Sequence, residues 1–245
     1  MVKNVITVLV VSIITLGFFS CANKKKDDPN HIRVGVQNGP EYVVAQEAKR
    51  VAKGKYDLDV ELVTFNDYIM PNTALNLGDI DVNAFQHKPF LEDQMQQRGY
   101  KFVAVGNTFI YPLAGYSKKI KSLNELQDGS TIVIPNDATN GGRALLLLQK
   151  VGLITLKDPT SIKPRVIDIV NNPKNLKILE LEAPQLSRVL DDKNVAVAII
   201  NNTYASQAGL MLTDGLFAED ADSPYVNVIV ARQDNKDADK VGKFV

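Results

Sequence analysis

The strongest constraint on the fold is an alternation of two hydrophobic periods that runs from Ile32 onward. The segment "IRVGV" places Ile32, Val34 and Val36 on one face of a strand. Val44, Ala45, Ala48, Val51 and Ala52 then fall at helical spacing up to Gly54, which the pattern predicts as the helix stop. "LDVELVTF" alternates again, with Leu58, Val60 and Leu62 on one face, and "DIDVNAF" and "KFVAVGN" predict further short strands with helices between them. Proline lacks only an N–H that is unpaired in a first helical turn anyway. Pro89 therefore predicts a helix running through Leu91 and Met95 to a stop at Gly99, with His87 at the end of the preceding strand. The second half repeats the logic. "STIVIPNDATNGGRALLLLQKVG" predicts strand, loop and helix, and "KILELEAPQLSRVLDDKNVAVAII" predicts a strand, a helix opened by Pro184 and a continuously apolar strand. Continuous apolarity implies burial on both faces, as in a parallel sheet. Two βαβ-rich halves meeting near Tyr111 to Gly115 predict an α/β chain of two lobes, and the space between lobes is the expected ligand site.

The N-terminus has a different physics. Lys3 precedes an apolar run from Val5 to Ser20, too short for the roughly 20 residues of a membrane span but laid out as a signal peptide. The run ends at Cys21, the only cysteine in 245 residues, so no disulfide can form within the chain. "LGFFSC" is similar to the bacterial lipobox, with Phe18 where leucine is usual, and this similarity implies that Cys21 is lipidated, for example with palmitate, and becomes the new N-terminus. The polar stretch that follows, up to His31, is too hydrophilic to pack and reads as a tether.

Beyond the leader the chain carries 27 basic and 28 acidic residues, a net charge of about −1, which does not favour nucleic acid. Only two histidines occur, and one of them, His31, falls in the tether. A hydrolase would need His87 with Asp81 or Asp67, or Ser117 or Ser130 as nucleophile, but neither G-x-S-x-G nor S-x-x-K is present. H-x-x-x-H and C-x-x-C are absent as well, so neither a metal nor a cofactor is expected.

Binding chemistry is better represented. The loop Asn136 to Gly142, "NDATNGG", is expected to end at Arg143 at the start of a helix, where free N–H groups and a guanidinium can converge on one anion. The loop lacks the GK[ST] of a P-loop, so a carboxylate fits better than a triphosphate. Asn201 and Asn202 close the apolar strand "VAVAII", and Asn227 lies within "SPYVNVIV". Such amides either serve a ligand's ammonium and carboxylate or satisfy a turn or core. His87, flanked by Phe85 and Phe90, is either a packed core residue or a pocket wall.

The stretches "VELVTFNDY", "GDIDVNAFQHKPFL", "VAVGNTFIYPLAGYSKKIKSL", "IPNDATNGGRALLLLQKVGL", "LELEAPQL" and "SPYVN" together resemble the methionine-binding lipoproteins of bacterial methionine ABC importers, the NlpA-type solute-binding family, from Ile32 to Val245. The resemblance implies a bilobed periplasmic-binding-protein fold of the type II class that holds methionine, L or D, in the cleft between the lobes. It implies residues 1–20 as signal peptide, 21–31 as lipidated cysteine and tether, 32–112 with 223–245 as one lobe, and 113–222 as the other. The family's thioether-holding cluster falls on Tyr68, Phe85, His87 and Phe90, and its carboxylate and amino contacts fall on Asn140, Arg143, Asn201 and Asn227, with Tyr225 close by. Many relatives have tyrosine where this chain has Phe90. The implied partners are an ABC permease with its ATPase and a bilayer holding acylated Cys21, with the body acting as a monomer in the periplasm or on the outer cell surface. A related amino acid or a methionine-containing dipeptide would suit the same residues, and a surface-adhesin role is compatible with the sequence. The chain stops at "DNKDADKVGKFV", a helical pattern without a stop signal, where the family continues for another helix, so a truncated chain is expected.

Overall fold

The computed structural model describes residues 28–220 and 222–245. The expected leader, Cys21 and all of the tether before Asp28 lie outside the described residues. In chain order the elements are β1 (His31–Gln37), α1 (Pro40–Tyr56), β2 (Asp59–Phe65), α2 (Met70–Leu77), β3 (Val82–His87), α3 (Lys88–Arg98), β4 (Phe102–Ile110), β5 (Ala114–Tyr116), β6 (Thr131–Pro135), α4 (Ala138–Lys150), β7 (Thr155–Leu156), β8 (Ile169–Asn171), β9 (Lys177–Leu181), β10 (Val195–Ile200), α5 (Asn202–Gln207), β11 (Phe217–Ala218), β12 (Val226–Arg232) and α6 (Asp239–Phe244).

Two five-stranded sheets organise the chain, in the orders β2-β1-β3-β12-β4 and β11-β5-β10-β6-β9, and β7 pairs with β8 apart from both. In the first sheet β1 runs parallel to β2 and β3, while β12 runs antiparallel to β3 and β4. In the second, β6 runs parallel to β9 and β10, and β5 is antiparallel to β10 and β11. The backbone passes between the sheets twice, between β4 and β5 and again between β11 and β12. The result is a bilobed periplasmic-binding fold.

Each lobe closes over its own core. Ile32, Val34 and Val36 of β1 are fully buried and pack with Ala45 and Ala52 of α1, whose small side chains let the helix lie close to the sheet. β10 sits between β5 and β6, and Val197, Ala198, Ile199 and Ile200 are all fully buried. Its continuous apolarity thus reflects cover on both faces, with a parallel neighbour on one side only.

Several boundaries differ from the sequence pattern. Helix α1 runs past Gly54 and ends at Asp57, in the left-handed conformation (φ 52°) with its N–H bonded to Lys53 O. Leu58, fully buried, draws the chain out of the helix there, so burial rather than glycine sets the stop. His31 does not belong to the tether. It opens β1, paired with Asp59, and its ring lies 2.9 Å from the Asp59 carboxylate and 3.2 Å from that of Glu61. The helix expected at Pro184 is instead two short 3₁₀ turns, Ala183–Gln185 and Arg188–Asp191. They set Leu186 and Leu190 into the core, and Leu186 and Ser187 between the two turns keep right-handed helical dihedrals.

The two glycines of "NGGR" are packing residues. A Cβ on Gly142 would lie 2.9 Å from Pro164 Cδ and 3.0 Å from Lys163 Cα, and one on Gly141 would lie 2.8 Å from Pro135 O. Gly142→Ala should therefore destabilise the fold by about 1–3 kcal/mol. A urea melt in which the variant keeps its wild-type midpoint would contradict this.

A ligand-binding cleft between the lobes

The cleft is built from element ends. β3 delivers Phe85, Gln86 and His87, α3 begins at once and adds Phe90, and Tyr68 precedes α2. From the other lobe come Asn140 and Arg143 in α4, and Asn201, Asn202 and Thr203 where β10 gives way to α5. Asn227 of β12 lies opposite His87 in the ladder. With Glu41 near the start of α1 and Tyr111 at the first crossing, these residues line one cavity. It is placed at strand C-terminal ends and between domains, where small-molecule sites usually are. Tyr225 stands behind the lining, its ring 5.1 Å from that of His87.

One end of the cavity is aromatic. Tyr68 and Phe85 lie 6.0 Å apart between ring centroids, as do Tyr68 and Phe90, and Phe85 meets Phe90 edge to face at 6.2 Å. Tyr68 also reaches Tyr204 of the opposite lobe at 5.0 Å. Further contacts clasp the lobes: Lys163 to Asp93 at 2.6 Å, Gln207 Nε2 to Asn38 O at 2.7 Å, and Thr203 Oγ1 to Glu41. The structure is thus the closed form.

His87 caps α3, its Nδ1 accepting the Phe90 N–H at 3.1 Å. Its Nε2 lies 3.2 Å from Asn140 Oδ1, an acceptor only, so the ring is the neutral Nε2–H tautomer. Burial, and next the nearby Arg143 charge, push its pKa down from 6.5 to about 3 against the hydrogen bond to Asn140. Asn140 is the polar hub: its Oδ1 also accepts from Asn201 Nδ2 at 2.8 Å, and its Nδ2 donates to Asp137.

The anion loop expected at "NDATNGG" takes a different form. Helix α4 begins at Ala138 with Asp137 as its cap, and the Asp137 side chain accepts the Asn140 N–H at 2.9 Å. The Asn140 N–H is therefore taken by the cap, and Arg143 lies inside the helix rather than at its start. The guanidinium already has an anion, since Nε donates to Glu219 Oε1 at 2.7 Å and Nη2 donates to Glu219 Oε2. Nη2 also donates to Tyr111 O at 3.0 Å, and the group stacks 4.5 Å from the Tyr225 ring centroid. Nη1 retains its hydrogen-bonding capacity.

Glu41, Gln86, Tyr111 and Thr203 are cavity residues that the sequence did not single out. An acid in the first turn of a helix reads as a dipole complement, so Glu41 carried no separate signal. Three of the residues weighed for hydrolytic chemistry, Ser117, Asp67 and Asp81, hold local structure. Ser117 Oγ donates to Ala196 O and accepts the Lys119 and Ile120 N–H groups, Asp67 accepts those of Ile69 and Met70, and Asp81 pairs with Lys240. Among the described residues no group of three or more His, Cys, Asp or Glu could hold a metal ion, and no helix is long and apolar enough to cross a membrane.

The NlpA lipoprotein family model matches residues 32–245. The chain belongs to the NlpA lipoprotein family. It is similar to the D-methionine-binding lipoprotein MetQ of Escherichia coli K12, with 66% identity over 232 residues, covering 94% of this chain and 85% of that protein. Among solved structures it resembles the methionine-binding protein MetQ (TM-score 0.87, 68% identity, 89% of each chain). It also resembles a nutrient-binding protein of Burkholderia cenocepacia bound to methionine (TM-score 0.83, 48% identity, 87% of this chain and 89% of that one).

Below pH 6.5 the unfolded chain protonates this imidazole, whereas the folded protein resists until about 3, so stability falls as pH drops through that window. His87→Gln should flatten the loss, seen as a smaller gap between urea midpoints at about pH 7 and pH 4.5. An unchanged gap would remove His87 as its source.

Proposed function

We propose that this chain is the capture component of an ABC importer for methionine, binding the amino acid between its lobes and delivering it to a membrane permease powered by its ATPase. The observation that carries the reading is the polarity of one cleft cavity, which brings together the aromatic Tyr68, Phe85 and Phe90 with the polar Arg143, Asn140, Asn201 and Asn227. In this reading Tyr68, Phe85, His87 and Phe90 hold the thioether, where sulfur beside aromatic rings gains roughly 0.3–1.5 kcal/mol per contact. The free Nη1 of Arg143 takes the carboxylate, and Tyr225 holds the guanidinium plane. Phe90 contributes shape but no hydrogen bond. Residues 32–112 with 223–245 form one lobe and 113–222 the other, and acylated Cys21 ties the monomer to a bilayer in the periplasm or on the cell surface. No reaction occurs on the ligand, and closure is a population shift that a bridging ligand stabilises.

The test is mass spectrometry of whatever small molecule leaves the purified protein on denaturation, followed by calorimetry with L- and D-methionine. Recovery of methionine supports the reading, and a sugar or a metal would overturn it. A related amino acid or a methionine dipeptide would move the substrate and keep the capture role.

Arg143→Ala should weaken methionine binding by about tenfold or more, the scale of a charge-assisted hydrogen bond. It also leaves Glu219 buried without its partner, so the double variant Arg143→Ala, Glu219→Gln serves as the folded control. Unchanged affinity in that control would remove Arg143 from the site.

A further inference from the structure

The unpaired acceptors of the cavity wall have a common chemistry. Among the residues lining the cavity, the buried side-chain atoms without a hydrogen-bond partner are Glu41 Oε2 and Asn201 Oδ1. Both are acceptors, and they come from opposite lobes, Glu41 from α1 and Asn201 from the end of β10. A buried acceptor left unpaired is costly, and a carboxylate more so than an amide. A partner that donates hydrogens and carries positive charge would match both atoms with Glu41 in its charged form.

The charges of the wall point the same way. Arg143 is matched by Glu219, and His87 stays neutral with its pKa near 3. Tyr68, Tyr111 and Tyr204, which feel the Glu41 charge, are all pushed upward by burial and remain protonated at neutral pH. Glu41 is thus the lining carboxylate without a cation. Its residue is 4% exposed, and its one side-chain hydrogen bond is accepted by Oε1 from Thr203 Oγ1 across the cleft.

We propose that Glu41 is the receptor for the bound amino acid's ammonium group, which donates to Glu41 Oε2 and Asn201 Oδ1 and so bridges the lobes. An ammonium offers three N–H donors and no acceptor, which suits a site made of acceptors. The assignment rests on the amino-acid reading above and adds to it a residue that discriminates amino acids from acids lacking the amine. It also makes closure depend on the ligand. Burial raises the Glu41 pKa from 4.5 to about 7, so closing over an empty cavity strips water from a carboxylate that prefers to be charged in the open form. The sign is that empty closure is opposed as pH rises above 4.5 and is relieved when an ammonium enters.

The experiment is calorimetry at about pH 8 with L-methionine and with its desamino analogue 4-(methylthio)butanoate, on wild type, Glu41→Gln and Thr203→Val. Glu41→Gln keeps the Thr203 hydrogen bond and removes the charge. Its methionine affinity should fall by about tenfold or more, while analogue binding stays the same or strengthens, so that the preference for methionine collapses. Thr203→Val keeps the charge and should keep the preference, even if both affinities drop. Equal losses for both ligands in Glu41→Gln would show a merely structural latch and overturn the proposal, as would no loss at all. Wild-type protein that ignores methionine would overturn both readings, whereas wild-type binding that Glu41→Gln leaves intact would overturn only this one.

Discussion

The cleft depends on the buried ion pair between Arg143 and Glu219, because this pair joins the two places where the chain passes between lobes. Glu219 follows β11 at the start of the second crossing, and its Oε2 also accepts the Leu113 N–H, on the first crossing, at 3.0 Å. Arg143 donates in turn to Tyr111 O on that same first crossing. One guanidinium and one carboxylate thus hold both connections and the base of α4 in one network. Removing a single partner from such a pair strands a buried charge, at a cost of about 3–5 kcal/mol. The network therefore ties the two crossings together and fixes the Arg143 guanidinium beside the cavity that it helps to line.

The aromatic end is held by a different device. Behind Phe85 and His87, a fully satisfied amide cluster pins β3: Gln86 Nε2 donates to Asn72 Oδ1 at 2.7 Å and to Asn83 Oδ1 at 3.0 Å, and Asn72 Nδ2 donates back to Gln86 Oε1 at 2.9 Å. Strand alternation then turns Phe85 and His87 to the face opposite Gln86. His87 is fixed at both nitrogens, by the helix it caps and by Asn140 of the other lobe. His87 and Glu41, both buried in the wall, respond to acid with opposite signs. His87 resists gaining a proton below 6.5, and Glu41 resists losing one above 4.5, so both neutral forms suit the dry cavity.

Elements whose fate is local were legible in the residue pattern. β1 and β10 follow from alternation and continuous apolarity, and α3 follows from a proline at its start and a glycine at its end, Gly99, which adopts the left-handed conformation at φ 71°. Where tertiary burial competes with a local signal, burial wins. Leu58 carries α1 past Gly54, and Leu186 with Leu190 reduces the Pro184 segment to 3₁₀ turns. His31 has an ordinary reading as part of a polar tether until its neighbours Asp59 and Glu61 are known, and they lie about thirty residues away.

The same division holds at the site. The sequence by itself determined which side chains are chemically suited to an amino acid, because an aromatic cluster about one histidine, an arginine after paired glycines and asparagines at strand ends are properties of residue type and short-range order. Only the tertiary structure decided their state of charge and their partners. Glu219 lies 76 residues from Arg143, and Thr203 lies 162 residues from Glu41. No local pattern can show that the arginine is already matched while a first-turn glutamate, dry and half-bonded, is left without a cation. Hydrogen bonding and desolvation depend on distance in space, and the closing of the two lobes sets that distance.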